Sequence, residues 1–262
     1  MITDQLRLLY RLKNPRFLFL YSLFLLQKLF IKFTKNFENV RYWYPSNVKY
    51  IYGDIDRRVE DFQYVENRET IYKRIRLASC FLELNSETSW EEEMTDIEDV
   101  AVLHRWNWLI YEESSPKIFR DITDEWGWVY VRSWINTNGI GRKPIHMEPY
   151  TIAERITNAC IYAQVKHGDM KPPKDISNAL ELMAYKLADT LEYKIPSSTG
   201  NHVFNNARGL FFAGTVLGNN SLINLAVAIF DDCMDRLVTV DGFLSEGSSH
   251  YHLLFTRWTF EV

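Results

Sequence analysis

The sequence predicts an all-α fold built from antiparallel helical hairpins. Five apolar stripes follow the helical spacing i, i+3, i+4 and i+7 in the second half of the chain. Glycine or proline separates most of these stripes, as expected at helix ends. Because the connections between the helices are short, neighbours along the chain are expected to pack antiparallel. A hydrophobic content of 47% supplies enough apolar side chains for one core.

The first part of the chain, residues 1–99, is predicted to be a helical and irregular segment that packs on a helical domain of residues 100–262. Residues 34–65 lack periodicity and are predicted to be an irregular connection. Residues 66–84 place Ile75 and Leu82 on one helical stripe. The acidic stretch from Ser86 to Asp99 is expected to be a solvated loop or a helix start.

The apolar run within residues 17–31 leaves two alternatives open. It follows Lys13 and Arg16, but no small-residue cleavage site follows it, as a signal peptide would require. Lys28 ends the run well short of the roughly 20 residues that span a bilayer. We expect a helix packed on the body of the protein; the alternative is an anchor that makes weak contact with a membrane surface.

Helical patterns dominate after residue 100. The stretch "AVLHRWNWLIY" carries apolar residues at helical spacing, and "DEWGWVYVRSWI" also fits a helix, although its middle looks extended. The five later stripes predict helices in order: one from about 150 to Gly168, one over residues 180–191, one over 203–217 ending at Gly218, one over 222–237, and one that begins near Ser248.

An up-and-down arrangement of these five helices brings the beginnings of the first, third and fifth to one rim. The opening residues are Tyr150 to Arg155, Asn201 to Asn206, and Ser245 to His252. Helix N-termini present free N–H groups and the positive end of the helix dipole, which favour an anionic ligand. The rim is therefore the predicted functional site.

Composition limits the classes of ligand. The net charge of −4 gives no general attraction for nucleic acid or for another anionic polymer. Cys80, Cys160 and Cys233 lie far apart without metal-ligand spacing, so neither a disulfide framework nor a zinc site is predicted. Cys160 and Cys233 fall on apolar faces and are expected to be buried thiols. No cofactor is predicted for this chain.

Four blocks together resemble the heparinase II/III-like polysaccharide lyases and their alginate-lyase relatives. They are "HRWNWL" at 104–109, "PYTIAERITNA" at 149–159, "NHVFNNARGLFFAGTVL" at 201–217 and "DGFLSEGSSHYHLLFTRWTFEV" at 241–262. The resemblance covers residues 100–262 and implies an incomplete (α/α) toroid followed by a β-sandwich domain. Since Val262 ends within an apolar stripe, we expect the chain to be the N-terminal part of a longer protein. A metal in such a further domain stays open.

The resemblance also implies residue roles. It assigns catalytic roles to Tyr251, His202 and Asn201, with Asn201 contacting the substrate carboxylate. It places these residues at the substrate: Arg155, Glu246, His252, Asn205 and Tyr150. Some relatives carry a Glu where this chain has Asn205, which leaves epimer specificity open. The implied partner is an acidic polysaccharide or oligosaccharide. The implied location is periplasmic or secreted; the alternative is a cytoplasmic location, which is expected if residues 17–31 form a packed helix.

The implied reaction is a β-elimination on a uronic-acid glycan. It needs a donor that neutralises the uronate carboxylate, a base for the C5 proton and an acid for the leaving oxygen. A tyrosine, with a reference pKa of about 10, needs a cationic or hydrogen-bonding neighbour to act as the base; His202, His252 or Arg155 are the candidates.

Each residue also has an ordinary structural interpretation. Asn201 is a common helix cap, His202 a common surface residue, and Tyr251 lies on an apolar stripe. Glu246 is a capping partner for a nearby serine. His252 points about a hundred degrees away from Tyr251 around a helix.

Two other functions remain alternatives. A glycoside hydrolase needs two carboxylic acids about 5–10 Å apart, and Asp241, Glu246 and Glu154 are the candidates. A protein that only binds glycan or serves as a scaffold needs neither the residues of a lyase nor the carboxyl pair of a hydrolase. The products separate these functions, because a lyase leaves a double bond and a hydrolase leaves a reducing sugar without one.

Overall fold

A computed structural model describes residues 73–85, 88, 90, 94–113, 126–139, 145–193 and 200–262. The predictions for residues 17–31 and 34–65 lie outside this range. Within it, the elements in chain order are strands β1 (Lys73–Arg76) and β2 (Phe81–Leu84), helices α1 (Ile97–His104), α2 (Trp108–Glu113) and α3 (Trp126–Asn138), a 3₁₀ turn (Ile145–Met147), and helices α4 (Pro149–His167), α5 (Lys174–Asp189), α6 (Asn201–Leu217), α7 (Asn220–Leu237) and α8 (Ser249–Glu261). The described part is mostly helical, which confirms the all-α class.

The helix expected within residues 66–84 is wrong for residues 73–84, which form an antiparallel hairpin with Ile75 opposite Leu82. Ile75 and Leu77 are buried, and the arginines on either side of Ile75 are exposed. This alternation is the period of a strand, and it prevails over the helical stripe because only one face of the hairpin meets the core. Ser79 in the turn then donates two hydrogen bonds to Asp99 on α1, at 2.7 and 2.6 Å.

The later helices begin and end within about two residues of the predicted positions, except α5, which begins at Lys174, six residues before its apolar stripe. Gly218 ends α6 with a φ of 67°, a left-handed conformation that glycine adopts without steric cost. Asn219 follows at once and caps α7 by accepting from the backbone N–H groups of Ser221 and Leu222. Ser248 caps α8 by accepting from the backbone N–H of Tyr251. The short connection makes α6 and α7 antiparallel, as Gly214 beside Ile223 shows.

Helices α4, α6 and α8 run parallel. Glu154 on α4 contacts Arg208 on α6, and Tyr150 contacts Asn205, so the residue numbers rise together along both helices. Phe204 pairs with Phe255, and Arg208 with Glu261, so the residue numbers of α6 and α8 also rise together. The predicted convergence of the three helix beginnings is therefore present in the structure.

The α4–α6 crossing is close because of a glycine. A Cβ atom added at Gly209 would lie 2.7 Å from Cα of Ala153. Two small residues thus let the helix backbones approach, and this crossing places Tyr150 beside the first turn of α6.

The core is rich in tryptophan. The indole rings of Trp90, Trp106, Trp108, Trp126, Trp128 and Trp134 are all fully buried. Trp90 and the hairpin residue Ile75 belong to the same hydrophobic cluster as the helices. Cys160 and Cys233 are buried thiols, as predicted, and Cys80 is exposed. In the described ranges, no helix is both long enough and apolar enough to cross a bilayer.

Candidate functional site

The beginnings of α4, α6 and α8 form one rim, defined here by Tyr150, Asn201, His202, Glu246 and Tyr251. The ring of Tyr150, the second residue of α4, lies 4.7 Å from the ring of His202 on α6. Glu246, in the turn before α8, contacts Asn201. Residues more than 90 positions apart in the chain thus share one edge of the helical layer.

Asn201 is the first residue of α6, and Gly200 occupies the cap position, so the cap interpretation of Asn201 is wrong. The Glu246 carboxylate takes the place of a cap. It accepts from the backbone N–H of Asn201 at 3.0 Å and from the side-chain amide of Asn201 at 3.3 Å. The interpretation of Glu246 as a serine's capping partner is therefore wrong as well. Since an amide nitrogen carries two N–H donors, one donor of Asn201 is left for another acceptor.

His202 is held by a carboxylate that the sequence analysis did not single out. The Nδ1 atom of His202 lies 2.9 Å from Oε1 of Glu192, which follows α5. Asn206 fixes Glu192 twice: its amide donates to Oε2 at 3.1 Å, and its side-chain oxygen accepts from the Glu192 backbone N–H at 3.0 Å. A carboxylate on Nδ1 favours the tautomer that carries its proton there. Nε2 is then the basic nitrogen.

The Glu192 contact has a weak signal in the sequence. His202 and Asn206 are four residues apart, so both lie on one face of α6. The position of Glu192 depends on how α5 packs against α6, which no local pattern specifies.

Tyr150 connects the rim to the protein below it. The Arg105 guanidinium lies 4.8 Å from the centre of the Tyr150 ring, and the centre of the Trp258 ring lies 6.3 Å away. Burial raises the pKa of Tyr150 well above its usual range, Glu154 raises it further, and Arg105 and Arg208 oppose the increase. The phenol therefore stays protonated at neutral pH.

Tyr251 is less buried than its apolar stripe suggested, with 44% of its surface exposed. Its ring lies 5.7 Å from that of His250, and its electrostatic interaction makes a small contribution to the raised pKa of Tyr150. His252 turns elsewhere: its Nδ1 accepts from the Leu244 backbone N–H at 3.4 Å, and its ring packs near Phe243. The structure thus gives His252 a role in holding the turn before α8 rather than a place beside Tyr251.

Arg155 is fully buried and does not reach the rim. Its guanidinium donates to the backbone carbonyls of His104 at 2.8 Å and His146 at 2.7 Å, and it lies 4.1 Å above the Trp134 ring. Burial lowers the pKa of Arg155 to about 9. The expected substrate contact of Arg155, and its suggested role as a cation beside Tyr251, do not agree with this geometry. Arg155 instead ties α4 to the segments before it.

Asn205 is also buried, which corrects its expected place at the substrate. Its amide lies 3.5 Å from the Tyr150 carbonyl, and its oxygen accepts from Arg208 at 3.1 Å. Arg208 in turn bonds Glu154 on α4 at 2.8 Å and Glu261 on α8 at 2.5 Å. This cluster clamps the three parallel helices directly below the rim.

A cleft of about 240 Å³ has Tyr150 among its lining residues and opens between the α1–α2 region and helices α4, α6 and α8. We name it the Arg105 cleft. Its lining residues are Glu98, Val102, Arg105, Asn107, Ile110, Tyr111, Tyr150, Glu154, Asn158, Arg208, Leu254, Arg257 and Trp258. Sequence analysis placed only Tyr150 and Glu154 near a site, because the others come from helices whose contacts are set by tertiary packing.

Comparisons with known proteins add no family assignment: no family model, no curated protein and no solved structure matches this chain. Across the described ranges, no group of three or more His, Cys, Asp and Glu side chains is placed to hold a metal ion. The function therefore has to be argued from the rim and the cleft.

Proposed function

We propose that this protein is a polysaccharide lyase that cleaves a uronic-acid-containing glycan by β-elimination. The observation that carries the proposal is an oriented amide donor and an oriented histidine at the first two positions of α6, with the exposed Tyr251 in the first turn of the parallel helix α8. His202 is oriented by Glu192, and Asn201 is oriented by Glu246. The resemblance of the sequence blocks supplies the reaction class.

The steps balance with these residues. His202 takes the C5 proton of the uronate at Nε2, since its Nδ1–H is held by Glu192. The electron pair forms the C4–C5 double bond, and the glycosidic oxygen on C4 leaves with the proton of the Tyr251 hydroxyl. Asn201 donates its second amide N–H to the uronate carboxylate as negative charge develops there.

Glu246 limits how the uronate can bind. Its carboxylate already occupies the first N–H of α6, where the helix dipole favours an anion. In the proposed function, the substrate carboxylate therefore binds through the Asn201 amide rather than directly at the helix end.

The hydrolase alternative has weaker support in the geometry. Of its three candidate carboxylates, Glu246 is bonded to Asn201 and Glu154 is bonded to Arg208. Asp241 is exposed in the turn before α8. A hydrolase needs two carboxyl groups across the scissile bond, and two of the three candidates are already bonded to other side chains.

The test is a product analysis by mass spectrometry. The protein is incubated with heparan sulfate, hyaluronan, alginate and pectate, each in turn. The proposal predicts oligosaccharides that end in an unsaturated uronate, one water lighter than the products of hydrolysis. Saturated products with a new reducing end would establish the hydrolase instead. Glycan that binds but stays intact across the panel would establish a binding protein.

A further inference from the structure

Asn206 connects the candidate base to the interior of the protein. It lies on α6 four residues after His202, on the same face of the helix, and it is fully buried. Its amide donates to Oε2 of Glu192 at 3.1 Å, and its side-chain oxygen accepts from the Glu192 backbone N–H at 3.0 Å. Both ends of one buried amide are therefore bonded to the same residue.

The carboxylate of Glu192 depends on Asn206 for its orientation. Helix α5 ends at Asp189, so no helix holds Glu192. The residues on either side of Glu192 are buried in the core, but apolar contacts of the neighbours do not specify which way a carboxylate turns. Within the described ranges, each oxygen of this carboxylate has one hydrogen-bond partner: Oε1 has His202, and Oε2 has Asn206.

The exposed fraction rises along this series of contacts. Asn206 is fully buried, the Glu192 side chain is 15% exposed, and the His202 side chain is 49% exposed. Water competes for the outer contact, between Glu192 and His202, but it does not reach the amide of Asn206. Hydrogen bonds inside a protein are stronger than those in water. The buried end of the series is therefore the fixed end, and it holds the carboxylate where the imidazole meets it.

We propose that Asn206 is a positioning residue for the elimination: it holds Glu192 so that Nδ1 of His202 keeps its proton and Nε2 is left to accept one. This inference rests on the proposed function, in which Nε2 takes the C5 proton of the uronate. It extends the usual arrangement, in which a base is oriented by one further group, by a third member. Asn206 acts on His202 only through Glu192.

Two variants separate this role from a purely structural one. Asn206→Leu removes both bonds to Glu192 at similar side-chain size. Asn206→Asp keeps an acceptor for the Glu192 backbone N–H, but it replaces the amide donor with a second carboxylate, which repels Oε2. The matched control is Asn138→Ala on α3, because Asn138 is also buried and its amide donates to the Trp134 carbonyl at 3.0 Å, away from the rim.

The measurement is heteronuclear NMR of the histidine ring nitrogens, at a pH above the titration of His202 in the same spectra. A protonated and an unprotonated ring nitrogen differ clearly in chemical shift, and His202→Gln identifies the signals of His202. Circular dichroism melts verify that each variant is folded. The unaltered protein and Asn138→Ala should carry the proton on Nδ1. Asn206→Leu and Asn206→Asp should each shift the signals toward a mixture in which Nε2 is also protonated.

The kinetic effect should follow the tautomer. On a glycan that is turned over, both Asn206 variants should lower kcat about tenfold, the effect of weakening one hydrogen bond to a charged group. KM should change by less than about twofold, because Asn206 does not contact the substrate.

The inference is overturned if the unaltered protein lacks the Nδ1 proton, if a folded Asn206 variant keeps the parental tautomer, or if Asn138→Ala changes the tautomer as much. The tautomer is measured without substrate, so its outcome does not depend on the lyase reaction. A changed tautomer in a protein that yields no unsaturated product refutes only the proposed function. A parental tautomer in a protein that yields this product refutes only the role of Asn206.

Discussion

Replacing Arg208 with methionine tests the clamp that holds the three parallel helices together. The Arg208 side chain is only 2% exposed, and it pairs with Glu154, 12% exposed, and Glu261, 18% exposed. Methionine keeps much of the volume but leaves Glu154 without its cation. Breaking a buried ion pair by removing one partner costs about 3–5 kcal/mol. At about 2–4 °C per kcal/mol for a protein of this size, the melting temperature should fall by roughly 6–20 °C.

The matched control is Arg257→Met, on the opposite side of the same Glu261 carboxylate. Arg257 is 59% exposed, so its ion pair is screened by water, and its loss should change the free energy of unfolding by about 0–1 kcal/mol. Both variants are measured by urea unfolding and thermal melts at the same pH and salt. If Arg208→Met loses no more stability than Arg257→Met, the buried ion pairs of Arg208 do not stabilise the packing of the three helices as proposed.

Three further predictions follow from particular contacts. Gly209→Ala should lower the free energy of unfolding in urea by about 1–3 kcal/mol, because the new Cβ meets the Ala153 backbone. A variant as stable as the parent would contradict the close approach of α4 and α6. Hydrogen bonds from the Ser79 side chain and backbone lower the pKa of Asp99. The free energy of unfolding of the parent should therefore exceed that of Asp99→Asn above pH about 4, and the difference should disappear as the pH falls below that value. A difference that is unchanged at low pH would refute this linkage. Glu192→Gln should slow turnover about tenfold, because a charge-assisted hydrogen bond to His202 becomes a neutral one that is worth about 1–1.5 kcal/mol less. NMR follows the His202 tautomer in both proteins. An unchanged rate would show that Glu192 has no part in the site.

Helix positions were predictable because the signals are local. The end of α6 at Gly218 and the start of α8 after Ser248 depend on glycine and serine chemistry within one turn of the chain. The order of the helices then determined which beginnings share the rim. Strand β1 was missed because Ile71, Ile75 and Leu82 also fit a helical stripe, and only burial against the helices separates the two periods.

The partners at the site were not predictable, since they depend on tertiary contacts. Arg155 belongs to a block typical of a cleft, yet the α4 packing turns it into the core, onto the carbonyls of His104 and His146. Glu192 was missed for the converse reason, because it lies after the end of α5 and reaches His202 only through the packing of α5 against α6. Local sequence thus indicates which elements approach the site, and side-chain packing decides which residues reach it.

The most direct test of the central claim is the rate of unsaturated uronate formation, followed by its ultraviolet absorbance on the glycan that the product analysis identifies. Asn201→Ala should slow the rate about 10²–10³-fold through loss of the carboxylate donor. Tyr251→Phe should slow it about 10²–10⁴-fold through loss of the general acid. Asn224→Ala, at an exposed position of α7, should retain the parental rate. Asn201→Ala and Tyr251→Phe proteins that are folded and as fast as the parent would contradict the account, because the rim would then not be where the bond is broken.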